Sequence, residues 1–386
     1  MKKIGILNCS HIINFGSVLQ SYATEKIVRD ISGQDVYSFR YIQKKNLVYL
    51  KNYIHLLSEK SILKFKFKSI KKMLYLTYFN KNLKKKCDIR EQYFKDFNNT
   101  HFNYSPIYVG YDALNLIAKE YDCIILGSDQ VWHPINFGSH YYTMEWVPDD
   151  IPKIVYAASF GVNKIPKNQE NGTSQYLHRI DSITVREKAG ADIVYSLTGN
   201  KPEIVCDPTM LLTTSEWDKI SKPINETGFI FCYFLGNNQH ARIYANKLKQ
   251  ITGLPIICVP FMDEIIKEDL NFGDKQLFHI GPGEFIAYIK NANYIITDSF
   301  HGTVFSILYH KKFYVFDRFA NKEKGSTNSR IDTLLFQTGL SNRRASTQTF
   351  DIDADINYFD VDNKIDRMRS IGIKYLEDAF HKYSII

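Results

Sequence analysis

The sequence predicts an α/β protein of two Rossmann-like domains facing a cleft, the arrangement called GT-B, with parallel sheets flanked by helices. Three observations predict it. The 386 residues exceed one ordinary core, and two units of roughly 150–200 residues are expected. Short apolar runs alternate with helix-like stretches, as strands and crossover helices do. The alternation occurs twice, with a break between the two series.

The first series opens at residues 4–8, where Ile4-Gly5-Ile6-Leu7 follows two lysines. This run is shorter than the roughly 7–15 apolar residues of a signal peptide, so a first strand is expected. Further strand runs fall at 36–39, 123–126, 154–158, 183–185 and 204–206, rich in Ile, Val, Phe or Tyr and bounded by turn residues. Helices fit at 17–30 and 189–196. The second series has strands at 229–234, 255–259, 294–297 and 313–316, with helices at 240–251, 284–290 and 302–309. Between them, Lys222-Pro223 and Asn225-Glu226-Thr227-Gly228 break the pattern and place a boundary within 213–227. The expected division is residues 1–215, residues 216–350, and a C-terminal tail or helix at 351–386 that packs back on the first domain.

Residues 43–97 leave this rhythm and are expected to form a basic helical insertion. Between Lys44 and Lys86 there are thirteen lysines and one acid, Glu59. The net charge of +8 is therefore local to this stretch, and the rest of the chain is net acidic. One reading is a helix with a solvated lysine face. Another is a basic, aromatic-bearing surface that rests on anionic membrane at the inner face. No stacking motif accompanies it, so nucleic acid is not expected as a partner.

No run approaches the roughly 18–20 apolar residues of a membrane span, and a soluble cytoplasmic protein is expected. The six cysteines, Cys9, Cys87, Cys123, Cys206, Cys232 and Cys258, form no C-x-x-C pair and read as reduced core thiols. No cluster has metal-ligand spacing, and neither a G-x-S-x-G elbow nor a G-x-G-x-x-G loop is present. Neither a metal nor a cofactor is expected.

In open α/β sheets, ligands gather at the carboxyl ends of strands. Four such junctions carry unusual polar residues. In the first, Thr297-Asp298-Ser299-Phe300-His301-Gly302-Thr303 ends one apolar run and opens a helix. Gly302 permits close backbone approach, and the helix mouth suits phosphate or carboxylate. His301 is the side-chain type best suited to proton transfer near neutrality, or else caps the turn. In the second, Gly127-Ser128-Asp129-Gln130-Val131-Trp132-His133 offers Asp129 as a base or hydroxyl acceptor and Trp132 as a stacking face for a sugar ring. Asp129 as a helix cap and Trp132 as core are the plain alternatives. In the third, Arg186 directly follows a strand and could grip an anion, or pair with Glu187 or Glu203. In the fourth, Asn14 and Ser17 suit hydroxyl recognition or simple helix capping.

Together these stretches resemble the polysaccharide pyruvyl transferase family. The text that carries the resemblance runs in family order: Asn14-Phe15-Gly16-Ser17-Val18-Leu19-Gln20-Ser21-Tyr22-Ala23, Gly127-Ser128-Asp129-Gln130-Val131-Trp132, Ala158-Ser159-Phe160-Gly161, Val185-Arg186-Glu187, Asp207-Pro208-Thr209, Thr297-Asp298-Ser299-Phe300-His301-Gly302-Thr303 and Ser329-Arg330-Ile331. It covers about residues 4–340.

The resemblance implies transfer of the enolpyruvyl unit of phosphoenolpyruvate onto a sugar of a polysaccharide precursor, closing a pyruvate ketal. It implies His301 as general acid, with Asp129 as base and His133 behind it. Phosphoenolpyruvate, a co-substrate, would meet the second domain and Arg186, Ser299, Phe300, Gly302 and Arg330. The acceptor, an oligosaccharide that could be lipid-linked, would meet Asn14, Ser17, Trp132 and His133. Many members read Arg-Leu-His-Gly where this chain reads Ser299-Phe300-His301-Gly302. The charge missing at Ser299 would come from Arg330, with Arg318 and Lys312 as less specific candidates. Two competing functions are a GT-B glycosyltransferase using a nucleotide sugar, and a silent glycan-binding protein.

Overall fold

The computed structural model describes residues 1–44, 71–262, 266–318, 329–345 and 354–386. It contains two sheets, and every strand pair within them is parallel. The first has seven strands in the order β3-β2-β1-β4-β5-β6-β7. These are β1 (Lys3–Leu7), β2 (Asp35–Ile42), β3 (Tyr104–Val109), β4 (Cys123–Leu126), β5 (Lys153–Ala158), β6 (Ser182–Val185) and β7 (Glu203–Ile204). The second has five, β10-β9-β8-β11-β12: β8 (Ile230–Tyr233), β9 (Ile256–Val259), β10 (Lys275–Gln276), β11 (Tyr294–Thr297) and β12 (Lys312–Val315). Central strands β4, β5, β8 and β9 are buried along their whole length. Parallel strands covered on both faces read as continuous apolar runs, which is why the sequence exposes them.

The helices that shape the site are α1 (Phe15–Ser32), α2 (Lys81–His101), α3 (Tyr111–Ala118), α4 (Glu170–His178), α5 (Lys188–Thr198), α6 (Thr214–Asp218), α7 (Gln239–Thr252), α8 (Pro282–Asn291), α9 (Phe300–Leu308), α10 (Ser329–Thr338) and α11 (Tyr358–Lys382). Beta-strand β3, helices α3 and α4, and the two-residue β10 lie outside the runs read from sequence. Edge strand β3 carries Pro106 and is exposed at three of its six positions, so it lacks the apolar signal of a central strand.

The two sheets share one apolar core, which holds Ile4, Ile6 and Val18 from the first half with Phe231, Phe285 and Phe305 from the second. At its centre Phe15 stacks on Phe285, with ring centroids 4.6 Å apart and planes 12° from parallel. Such a pair contributes about 0.5–1.5 kcal/mol beyond its buried area. The boundary region is itself structured. A Thr213–Glu216 capping box starts α6, and Trp217 packs edge-on against Phe305 at 5.0 Å.

The basic stretch departs from a simple solvated insertion. Its residues 45–70 lie outside the described ones. Beyond them, α2 buries Phe94 and Phe97 in the shared core. Arg90, in the middle of α2, donates to the carbonyls of Pro260 (2.8 Å), Phe278 (3.2 Å) and Leu277 on the second half. Helix α11 also contacts both halves. Near its start, the Tyr358 hydroxyl donates to the Lys311 carbonyl (2.6 Å) and Asp362 pairs with His310 (2.9 Å). Further along, Arg369 donates to the Met210 carbonyl (3.0 Å) and the Tyr375 hydroxyl to the Val155 carbonyl (3.0 Å).

Candidate active site

The strand order of the first sheet reverses between β1 and β4, and loops leaving two such strands diverge to form a crevice. Asp129 stands just past β4, and Ser17 lies in the first turn of α1. The Ser17 hydroxyl donates to Asp129 Oδ2 at 2.5 Å, closing the crevice floor. Asp129 holds φ = 83°, a left-handed conformation that a non-glycine residue adopts only when its surroundings compel it. Here its carbonyl accepts from the Ser159 N–H (3.0 Å) and its Oδ1 from the Gln130 N–H (2.9 Å).

Arg186 leaves β6 and is buried at 3% exposure. Its Nη1 donates to Asp207 Oδ2 at 2.5 Å, and its Nη2 lies 3.7 Å from Asp129. Asp207, just beyond β7, also accepts on Oδ1 from the Thr209 hydroxyl (2.6 Å) and on Oδ2 from Ser128 (3.2 Å). His301, from α9 in the second half, places Nε2 at 3.5 Å from the same Asp207 Oδ2. The other side of the imidazole lies against Gly16. A Cβ at Gly16 would come within 2.0 Å of His301 Nδ1, so only glycine allows this approach.

Phe300 has two cations beside its ring. The Arg186 guanidinium carbon stands 4.5 Å from its ring centroid and that of Arg330 stands 5.8 Å away. Arg330, from α10, is 7% exposed. Both guanidinia hold unsatisfied donors: Nε and Nη2 of Arg186 and Nε of Arg330 are buried without a hydrogen-bond partner, as is His301 Nε2. Three of these nitrogens face carboxylate oxygens at longer range, Arg186 Nη2 with Asp129 at 3.7 Å, Arg186 Nε with Glu187 at 4.0 Å and His301 Nε2 with Asp207 at 3.5 Å, so donor capacity is left for a closer acceptor.

The electrostatics agree. Burial would raise the Asp207 carboxyl, but His301, Arg186 and Thr209 hold it well below the usual carboxylate range. Burial likewise raises Asp129, and Arg186, His301, the Ser17 hydroxyl and Arg330 outweigh it, leaving it below its ordinary value. Both stay ionised. For Arg330, burial and then the Arg186 charge push the guanidinium down. Burial, then Arg330, lowers His133 to about 4.

The other expected residues fall in different places. Ser299 caps α9, its hydroxyl accepting from the Gly302 N–H at 3.2 Å. The Ser299 and Thr303 N–H groups are also used internally, by Thr297 and by the Ser299 carbonyl. Three of the N–H groups around the helix mouth, those of Ser299, Gly302 and Thr303, are thus already engaged. A Cβ at Gly302 would meet Thr297 Oγ1 at 2.6 Å, so packing against β11 already requires glycine here. Asn14 caps α1 by accepting from the Ser17 N–H (3.2 Å). Trp132 is core: it is 4% exposed, packs on Phe160 and Tyr176, and donates to the Tyr142 carbonyl (3.2 Å). Little of the ring is left open, and what remains lines a small pocket. His133 is half-buried beside a small pocket that Asn136, Thr143 and Gln169 also line. Lys312 begins β12, at the end of the strand remote from the site.

Sequence reading did not place Asp207, Glu187 or Gly16 in the site. Asp207 ends the apolar run 204–206, the same strand-end position that marked Arg186, but its Pro-Thr continuation reads as a turn. Glu187 is buried, with one oxygen accepting from the Ser159 hydroxyl (2.8 Å) and the other 4.0 Å from Arg186 Nε. All six cysteines are free thiols. Among the described residues no group of three or more His, Cys, Asp or Glu could hold a metal ion, and no helix is long and apolar enough to cross a membrane.

Fold and site together define a two-Rossmann-domain protein of GT-B type with a buried cluster of Arg186, Arg330, His301, Asp129, Glu187 and Asp207 where its halves meet. A model of the polysaccharide pyruvyl transferase family matches residues 14–318, and the chain belongs to that family. Among solved structures it is similar to UDP-N-acetylglucosamine 2-epimerase from Rickettsia bellii (10% identity, covering 97% of each chain, TM-score 0.46). It is also similar to the Neisseria meningitidis UDP-GlcNAc 2-epimerase bound to UDP-GlcNAc (9%, 97% of this chain and 99% of that one, 0.47) and to Acinetobacter baumannii MurG (9%, 98% and 94%, 0.43). Among curated proteins, none matches the sequence.

Proposed function

We propose that the chain transfers the enolpyruvyl group of phosphoenolpyruvate to a sugar of a polysaccharide precursor, forming a pyruvate ketal and releasing phosphate. The observation that carries this reading is the set of unsatisfied donors on Arg186, Arg330 and His301 around Phe300. A ligand with a carboxylate and a phosphate can satisfy both guanidinia, each charge-assisted contact being worth about 1.5–3 kcal/mol. In the protein alone, Asp129, Asp207 and Glu187 stand against these cations, Asp207 at 2.5 Å and the other two at 3.7–4.0 Å from Arg186.

The chemistry follows from the same groups. Protonated His301, paired with Asp207, gives its proton to the methylene carbon of phosphoenolpyruvate, and C2 becomes oxocarbenium-like. The fixed carboxylates Asp129 and Asp207 stabilise that positive centre. A sugar hydroxyl attacks C2 and its proton returns to His301. Asp129, held ionised, is a weak base, so it orients the attacking hydroxyl by accepting its hydrogen bond. The C2–O bond to phosphate then breaks. A second sugar hydroxyl adds to the new oxocarbenium, and its proton leaves on phosphate. The sum is one phosphoenolpyruvate and one diol giving one ketal and one phosphate.

The test is mass spectrometry of candidate oligosaccharides incubated with phosphoenolpyruvate, read alongside phosphate release. Acceptor-dependent phosphate with a pyruvyl mass gain supports the reading. Tight binding of a uridine or cytidine nucleotide, with no phosphate released for any acceptor, would overturn it in favour of nucleotide-sugar transfer.

A further inference from the structure

The described part of the basic stretch carries a second surface. Residues 71–86 contain six lysines and no acid. Residues Tyr75–Phe79 form a wide π-helical turn ahead of α2, a form that recurs at functional positions. Leu76 anchors this turn by burial, while Phe79 is 80% and Tyr78 71% exposed, with Met73 and Leu74 also exposed. Lys71, Lys81, Lys84 and Lys85 are exposed around them. Large apolar groups standing in water cost free energy unless something covers them.

We infer that the Tyr75–Phe79 turn and its ring of lysines form a docking surface for an anionic membrane. The charge decides the occupant. Apolar side chains encircled by cations match an interface in which acyl chains lie beneath negative headgroups, with Tyr and Phe at headgroup depth. A second copy of this chain would bring the same lysines together and repel. The inference stands apart from the donor chemistry proposed above. It does bear on the acceptor: α2 runs from Lys81 to Phe94, roughly 20 Å of helix, and Phe94 packs on Phe15 (4.9 Å), the neighbour of Gly16 beneath His301. A site at that height suits a saccharide displayed on a lipid anchor.

The test is flotation of the full chain with vesicles of phosphatidylglycerol and phosphatidylcholine, against phosphatidylcholine alone, at low and high salt. Binding should need the anionic lipid and weaken with salt. Tyr78→Ser with Phe79→Ser should weaken it about tenfold, and Lys71→Gln, Lys81→Gln and Lys85→Gln together about a hundredfold. A Phe79→Trp reporter should shift to shorter wavelength on binding. Thermal melts of all variants should match the parent, separating a lost surface from a lost fold without reference to activity. Equal binding to neutral vesicles, no reporter shift, or lysine-dependent binding of a single-stranded oligonucleotide with none to vesicles would each overturn the inference.

Discussion

The Nε2 of His301 lies 3.5 Å from Asp207 Oδ2, the same oxygen that accepts from Arg186 Nη1 at 2.5 Å. One buried carboxylate thus connects the proposed acid of one half of the protein to the proposed donor grip of the other.

Replacing His301 with Ala should lower kcat for acceptor-dependent phosphate release at least about a hundredfold, a typical general-acid effect. The KM for phosphoenolpyruvate should change much less, because Arg186 and Arg330 remain. Steady-state kinetics in both substrates checks this; unchanged turnover would remove His301 from the mechanism.

Asp207→Asn should destabilise the fold by about 3–5 kcal/mol, since it takes from buried Arg186 its one close carboxylate and leaves only Asp129 and Glu187 at 3.7 and 4.0 Å. The pH dependence has a definite sign. The Asp207 carboxyl lies below its unfolded value of about 3.9, so its stabilising contribution is present above pH ~4 and lost as the solution grows more acidic. Denaturant melts across the acid range should show a steep loss for the parent and a shallower one for Asp207→Asn.

Arg330→Gln should raise Tm in the absence of anions, because burial beside Arg186 makes its charge unfavourable in the empty site. The same variant should bind phosphoenolpyruvate about 10- to 150-fold more weakly, the equivalent of one charge-assisted contact. Calorimetry with and without the donor reads both effects, which run in opposite directions.

Gly16→Ala should keep the fold but displace the imidazole, whose Nδ1 would sit 2.0 Å from the new carbon. A shift of about 1 Å can cost on the order of a hundredfold in kcat. Full activity would show that the ring relaxes at no expense.

His133 titrates at about 4, below its unfolded value of about 6.5. Keeping it neutral costs nothing above pH 6.5 and penalises the folded state progressively between pH 6.5 and 4. His133→Asn should therefore lose less stability than the parent across that window, and any kcat/KM limb between pH 5 and 8 should survive the substitution.

The sheets were legible because central parallel strands are apolar on both faces, and the candidate residues because Asp129, Arg186 and His301 all stand where such a run stops. Arg330 was different. Ser329-Arg330-Ile331 drew notice only through the family resemblance, and its approach to Phe300 depends on packing between distant segments. Asp207 was hidden by its Pro-Thr neighbours, and the two readings of Trp132, sugar platform and core, could not be separated because an aromatic beside a polar loop looks the same in text whether its ring is covered or open. The reach of Arg90 to three carbonyls has no sequence signature at all, since it is a tertiary accident of where α2 crosses β9 and β10.

That crossing limits how the molecule can move. To swing its halves apart it would have to unstack Phe15 from Phe285 and strip Arg90 of three oxygens at once. Opening and closing of the two halves is therefore tied to one ring stack and one guanidinium, whose contacts are made or lost together.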